Sequence, residues 1–416
     1  MSITLPLGFV AAATTAGLKP SGRPDLALLV RRERGLHAGF AAAFTTNQLV
    51  GAPVLLGRAA RARALRGEMS ASALLINAGN SNAATGPEGV AAAERCCAGA
   101  ALALGVDPLE VVPCSTGIIG RPLQDDRIIA ALPALVGRLA RGTPADEEAA
   151  AAIMTTDRVP KTAQRSLRIG GAEIRIGAMA KGAGMIAPRL DSASGPARPA
   201  ATMLAFITTD AAVESPVLQA ALDAATSDSF NIISVDNHAS CSDTVIAVSS
   251  GLAGRSIIPG TRDFDAFAAA LHAVCLDLAD QIVADGEGAT RTFAVAVRGA
   301  ATPEAARLMA REIVNSSLVK CAVHGGDPNW GRIITAAGNA GVAFDVAKAS
   351  LTIGGVPVFE QGRPMTAAQS DPRLKSAMSA PRVEMILTVG PGSGAARMVG
   401  CDLTAEYIRI NADYTT

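Results

Sequence analysis

Aromatic side chains make up only 3% of this 416-residue chain, with one tryptophan, two tyrosines and ten phenylalanines. Net charge is lacking too, because 37 basic residues cancel 37 acidic ones. A neutral chain with few stacking platforms has no electrostatic footprint for nucleic acid, which points to a small-molecule site instead. Histidine is scarce at four residues, too few for a histidine-rich metal centre. The seven cysteines (Cys96, Cys97, Cys114, Cys241, Cys275, Cys321 and Cys401) are odd in number and contain no CxxC. Buried free thiols in a reducing compartment are the expected state. No run reaches the roughly 18 uninterrupted apolar residues of a membrane-spanning helix. The apolar stretch from Met1 to Leu18 lacks a positive start and runs into Lys19-Pro20-Ser21-Gly22 without a cleavage site. The expectation is a soluble, cytoplasmic protein.

What is present is a globular balance of 49% hydrophobic and 18% charged residues, in a chain long enough for two or three lobes and a large core. Short apolar runs at Leu26 to Val30, Pro53 to Leu56, Ala73 to Ile76 and Glu110 to Val112 read as strands. Helices alternate with them. One opens at Pro87-Glu88 and is stopped by Gly105, and another covers Asp146 to Met154. Asp263 to Ala284 carries Phe264, Phe267, Leu271, Val274, Leu278 and Ile282 on one helical face. Thr302 caps the next helix, with Pro303 at its first position. The segment Arg189 to Ala200 follows neither period and reads as a surface loop feeding a buried strand after Thr202. The class is mixed α/β, with layered sheets covered by helices.

The glycine-rich segments do not support a nucleotide site. Gly390-Pro391-Gly392-Ser393-Gly394 lies between two strand-like runs and reads as a hairpin turn. Lys181-Gly182-Ala183-Gly184 has its lysine on the wrong side for a phosphate loop. His324 to Arg332 holds the only tryptophan; it fits a tight turn with Asp327 paired to Arg332 as well as it fits a functional loop. His238 reads as a solvated loop histidine. Asp285 to Arg291 ends the long amphipathic helix with a glycine cap and leaves Glu287 as a charge flanked by glycines.

Eight segments, in order, carry a resemblance. They are Asn77 to Gly86, Ser115 to Gly120, Met154 to Asp157, Lys181 to Ile186, Ala201-Thr202-Met203-Leu204, Asp285 to Arg291, Val323 to Arg332 and Asn411 to Thr416. From end to end the chain resembles the ornithine acetyltransferases, also called glutamate N-acetyltransferases, of the arginine pathway. The resemblance implies an N-terminal-nucleophile-like acetyltransferase fold, shared by both products of a self-cleavage between Ala201 and Thr202. Residues 1–201 would form one chain, and 202–416 a second that begins with the nucleophile. Thr116 and Gly117 would hold the oxyanion, and Thr155, Thr156, Lys181, Thr202, Glu287, Asn411 and Thr416 would bind substrate. No cofactor and no metal are implied.

The chemistry suits these residue types. A newly exposed N-terminal threonine carries its own base, an α-amino group with a pKa of about 7.7–8.0. The implied substrates are N-acetylornithine and glutamate, with acetyl-CoA left open as a further donor, and the implied assembly is a heterotetramer of two α and two β chains or larger. Two segments depart from the family pattern: an insertion at Asp191 to Ala200, and the loop Asp236 to Thr244. The alternatives are an N-terminal-nucleophile amidohydrolase or peptidase, an uncut non-catalytic relative, and an acetyltransferase of specialised metabolism.

Overall fold

The computed structural model describes residues 2–191 and 203–413. Ala201, Thr202 and Thr416 therefore lie outside the described residues, as does the inserted segment after Asp191. The chain divides into two compact units, Met1–Asn231 with His238–Ile282, and Ile232–Asn237 with Val283–Thr415.

In chain order the first unit holds β1 (Phe9–Thr14), β2 (Leu26–Arg31), β3 (Phe40–Phe44), α1 (Ala52–Leu65) and β4 (Ala73–Asn80). There follow α2 (Gly86–Leu104), β5 (Val111–Ile118), α3 (Asp125–Gly137), α4 (Thr143–Ala152), β6 (Lys161–Ile169) and β7 (Ala172–Lys181). After the undescribed segment come β8 (Leu204–Thr209) and α5 (Ser215–Ser227). The short β9 (Ile233–Ser234) belongs to the second unit, and β10 (Thr244–Ser249) returns to the first. Helix α6 (Arg262–Ala284) closes the first unit.

The second unit continues with β11 (Thr292–Ala300), α7 (Pro303–Asn315), α8 (Ser317–Gly325) and α9 (Trp330–Gly338). It ends with β12 (Ser350–Ile353), β13 (Val356–Glu360), β14 (Arg363–Pro364), α10 (Pro372–Ser379), β15 (Arg382–Thr388), β16 (Gly394–Cys401) and α11 (Ala405–Asp413).

Two sheets make the first unit, ordered β1-β2-β4-β5 and β3-β10-β8-β7-β6. The period of two decides how they layer. In β2, Leu26, Leu28 and Val30 pack with residues of α2 and α3, whereas Ala27 and Leu29 face a core shared with the second sheet. That shared core contains Ile3, Phe9, Phe40 and Phe44 from before residue 201, and Leu204, Phe206, Ile246 and Val248 from after it. The layered α/β expectation holds, and a cut at residue 201 does not separate two cores.

The second unit is one seven-stranded sheet, ordered β14-β13-β12-β15-β11-β16-β9. Helix α7 covers it with Ala306, Met309, Ala310, Ile313 and Val314, each at most 1% exposed. Its start is as expected: Thr302 Oγ1 accepts from the Ala305 amide at 3.1 Å. Helix α6 is the one described helix long and apolar enough to cross a membrane by composition. Its Phe267, Leu271, Val274, Leu278 and Ile282 are at most 1% exposed, as in a core helix.

Several expectations need correction. Pro53 to Leu56 is not a strand but the first turn of α1, where proline is favoured because its missing N–H needs no partner. The glycines at 390–394 do not turn a hairpin, since β15 and β16 flank opposite edges of β11. The chain crosses the end of β11, and Gly392 N donates to Gly299 O at 3.1 Å. Asp327 does not pair with Arg332; it accepts from Asn329 Nδ2 at 2.9 Å, and Arg332 donates to Leu318 O at 2.9 Å. The left-handed glycine after α6 is Gly288 at φ +68, four residues past the helix end, so no glycine cap closes it. Cys321 is exposed rather than buried. Asp191 is not a surface residue: its carboxylate takes two bonds from Arg61, at 2.8 and 2.9 Å, and side-chain exposure is only 10%.

Candidate active site

Strands β4 and β5 run parallel, and their register sets Ala78 beside Thr116 and Gly79 beside Gly117. The pairing shifts between Gly79 and Asn80, so the strand end is irregular there. Gly117 has φ +129, and a Cβ on it would stand 2.4 Å from the Gly79 carbonyl carbon and 2.6 Å from the Asn80 nitrogen. Only glycine fits this close approach of two backbones. Beneath it, Ser115 Oγ donates to Asn77 Oδ1 at 2.5 Å, and Asn77 Nδ2 donates to Asn80 O at 2.8 Å. These bonds tie the strand ends together, with Thr116 fully buried.

Lys181, the last residue of β7, is 2% exposed and donates from Nζ to Thr116 Oγ1 at 3.2 Å. Its register partner on β8 is Leu204, two residues after Thr202. The next residue, Gly182, donates its amide to Asp157 Oδ1 at 2.6 Å. Asp157 Oδ1 also accepts from Lys161 Nζ at 2.7 Å, and Oδ2 accepts from the Thr155 amide at 3.0 Å. Burial by itself would push the Asp157 carboxyl up, but the Lys181 and Lys161 ammonium groups outweigh it and hold the pKa down at about 2. The carboxylate is therefore ionised at any working pH and fixes the backbone at both Thr155 and Gly182.

Thr116, Gly117, Thr155 and Lys181 are thus brought together, while Thr156 lies half-buried beside Thr155. Asp157 and Lys161 were not singled out from the sequence. A carboxylate and a lysine four residues apart ordinarily suggest solvated charge, and only burial reveals a fixed pair.

In the second unit, Glu287 is 9% exposed and its Oε2 accepts from Asn411 Nδ2 at 2.8 Å. The neighbouring Gly288 lets α11 approach, since a Cβ there would meet the Tyr407 nitrogen at 2.5 Å. Thr404 Oγ1 donates to Gly288 O at 2.8 Å. Asp402 accepts from the Thr290 amide and hydroxyl at 2.8 and 2.5 Å, and pairs with His324 Nδ1 at 2.9 Å. Burial opposes ionisation of Asp402, and these hydrogen bonds outweigh it, so its pKa is lowered. Glu287 and Asn411 are thus a hydrogen-bonded pair. Among the described residues no group of three or more His, Cys, Asp or Glu could hold a metal ion.

A buried ammonium at a strand-end hydroxyl, with a buried ion pair fixing the adjacent backbone, suits an α/β enzyme. Residues 10–416 match the ArgJ family model. The arginine biosynthesis bifunctional protein ArgJ of Thermosynechococcus vestitus is 43% identical over 432 residues, covering 100% of this chain and 98% of that protein. Its namesake from Thermus thermophilus is 42% identical over 418 residues, covering 100% of both. The crystal structure of arginine biosynthesis bifunctional protein argJ from Bacillus halodurans is 41% identical, covering 51% of this chain and 100% of that one, with a TM-score of 0.49. The chain belongs to the ArgJ family, and with it to the acyltransferases of arginine biosynthesis.

Proposed function

We propose that the protein cuts itself between Ala201 and Thr202 and then moves an acetyl group from N-acetylornithine to glutamate through an ester on Thr202. In the cut, the Thr202 hydroxyl attacks the Ala201 carbonyl, the amide becomes an ester, and water hydrolyses it to two chains. In turnover, the hydroxyl attacks the acetyl carbonyl of the donor while its proton passes to the Thr202 α-amine. The C–N bond then breaks, that proton leaves with ornithine, and acetyl-Thr202 remains. The amine of glutamate attacks the ester, and collapse returns the hydroxyl and releases N-acetylglutamate.

The observation that carries this reading is the Lys181–Thr116 contact at 3.2 Å, on a strand paired with the one that follows Thr202. An oxyanion forming beside Thr116 and Gly117 gains roughly 3–4 kcal/mol from each well-placed donor. Lys181 suits the substrate α-carboxylate and Glu287 the side-chain ammonium of ornithine. Thr155, Thr156, Asn411 and Thr416 complete the binding set. The mature enzyme is a cytoplasmic heterotetramer of two α and two β chains or larger.

Intact mass and a two-substrate assay test this together. Two fragments, with the second starting at Thr202, and acetylglutamate formed from N-acetylornithine support it. A single 42.0 kDa chain without transfer removes it, and free acetate as the product favours the amidohydrolase. Acetyl-CoA as a second donor is read in the same assay from thiol release.

A further inference from the structure

Lys19 lies in the turn between β1 and β2, which Asp25 folds from a fully buried position. The Asp25 carboxylate accepts from the amides of Ala16, Leu18 and Lys19 at 2.6, 2.6 and 2.9 Å. The turn is pressed onto β4 at Gly79, where a Cβ would stand 3.0 Å from the Leu18 carbonyl and 3.2 Å from Lys19 Cγ. Gly79 is the register partner of Gly117. The stem of Lys19 therefore lies over Gly79, the strand neighbour of Gly117.

The Lys19 ammonium donates to Ala152 O at 2.9 Å and to Pro24 O at 2.7 Å. Ala152 is the last residue of α4, the negative end of that helix, three residues before Thr155. An ammonium has three N–H groups, so one donor is left beyond these two acceptors. Burial lowers the Lys19 pKa to about 8. Asp25 opposes that change, the Lys181 charge adds to it, and Asp157 and Arg23 contribute less. The charges of Lys181 and Asp157 thus reach Lys19. Lys161 is a different case, because its partner Asp157 lies at 2.7 Å with both side chains fully buried.

We propose that Lys19 is a further substrate-binding residue of the transfer site, holding with Lys181 the α-carboxylate that the acetyl donor and the acceptor share. The inference rests on the function proposed above. Donor and acceptor differ in side-chain charge but both carry an α-carboxylate, and two ammonium groups anchored around the paired ends of β4 and β5 suit that common group.

The test is steady-state transfer by the self-cut enzyme, comparing wild type with Lys19→Met and Lys19→Arg, using N-acetylornithine and its α-carboxamide as donors. Lys19→Met keeps the stem over Gly79 and removes the charge. It should raise KM for N-acetylornithine and for glutamate by about 10- to 100-fold, the worth of one hydrogen bond to a charged group. The kcat should stay within about threefold, and Lys19→Arg should recover most of the loss. With the carboxamide donor, wild type and Lys19→Met should share one donor KM, while the KM for glutamate should still rise in the variant. Unchanged KM values, or an equal rise in donor KM with the carboxamide, overturn the proposal and leave Lys19 as a brace for the turn. If Lys19→Met shows no cooperative melt, Lys19→Gln takes its place in the same comparison. Absence of transfer by the wild type sinks the proposed function alone; the Lys19 inference is then decided by calorimetric binding of N-acetylornithine to wild type and variant.

Discussion

Asp157 and Lys161 form an ion pair at 2.7 Å in which both side chains are fully buried. Removing one partner of such a pair leaves an uncompensated charge in a low-dielectric interior, at a cost of about 3–5 kcal/mol. Asp157→Asn should lose about that much stability at neutral pH in urea unfolding. The pH dependence has a definite sign. The folded pKa of about 2 lies below the ordinary 3.8, so the carboxylate's stabilisation is complete above 3.8 and lost as pH falls through 2. The gap between wild type and variant should therefore narrow by about 2.5 kcal/mol as pH falls from above 3.8 to below 2, at about 1.36 kcal/mol for each unit between the two pKa values. A gap as large at pH 2 as at pH 7 would show that charge is not what Asp157 contributes.

Thr202→Ala removes the proposed hydroxyl while leaving every described contact in place. One uncut chain with no acetylglutamate formation is the expected outcome. Mass spectrometry and the two-substrate assay read both, and a processed, active alanine variant ends the mechanism.

The segment before the proposed cut begins from a held residue, Asp191. Asp191 is clamped by Arg61, and Phe44 and Asp191 also exchange bonds, from Phe44 N to Asp191 Oδ1 at 2.8 Å and from Asp191 N to Phe44 O at 3.0 Å. Asp191→Ala should cost about 1.5–3 kcal/mol, as expected for hydrogen bonds to a charged group. Deleting 192–200 spares the clamp and should keep or speed the cut with transfer by mature enzyme little changed. Melting curves and a time course of fragment formation separate the two effects. Normal cutting without transfer after the deletion would place that segment in the mature pocket.

Gly117→Ala places a methyl group against the Gly79 and Asn80 backbone and forces an L-residue to φ +129. The strain alone is worth on the order of 1–3 kcal/mol. The variant should melt lower and lose transfer by a factor larger than the stability change explains, since Thr116 moves with it. Equal kcat in a folded variant would remove this strand end from the chemistry.

Much of the architecture was legible because the apolar periods are clean. The six apolar positions of α6 and the Thr302-Pro303 start of α7 needed no tertiary information. Pro53 to Leu56 failed because four residues of a helical first turn look like a short strand, and the alanines and arginines after them carry weak amphipathic signal. The 390–394 segment failed for another reason: two strands joined by glycines can straddle a third, and a sequence does not display its partners. In the site, Thr116, Gly117, Thr155 and Lys181 were named through resemblance, and the structure brings them together. Asp157 and Lys161 were missed because a buried charge differs from a solvated one only in its surroundings.

Strand β8, which follows the proposed cut, is bonded on one side to β7 and on the other to β10. Its Leu204 and Phe206 share a core with Phe9, Phe40 and Phe44. Once the bond at 201 is broken, that core has to be assembled from two separate molecules. Unfolding of the precursor is a first-order affair, whereas refolding of the mature protein requires an encounter between fragments and slows with dilution. Maturation would thus turn a reversible fold into one whose recovery depends on concentration, and the precursor would be the only form that can rebuild itself alone.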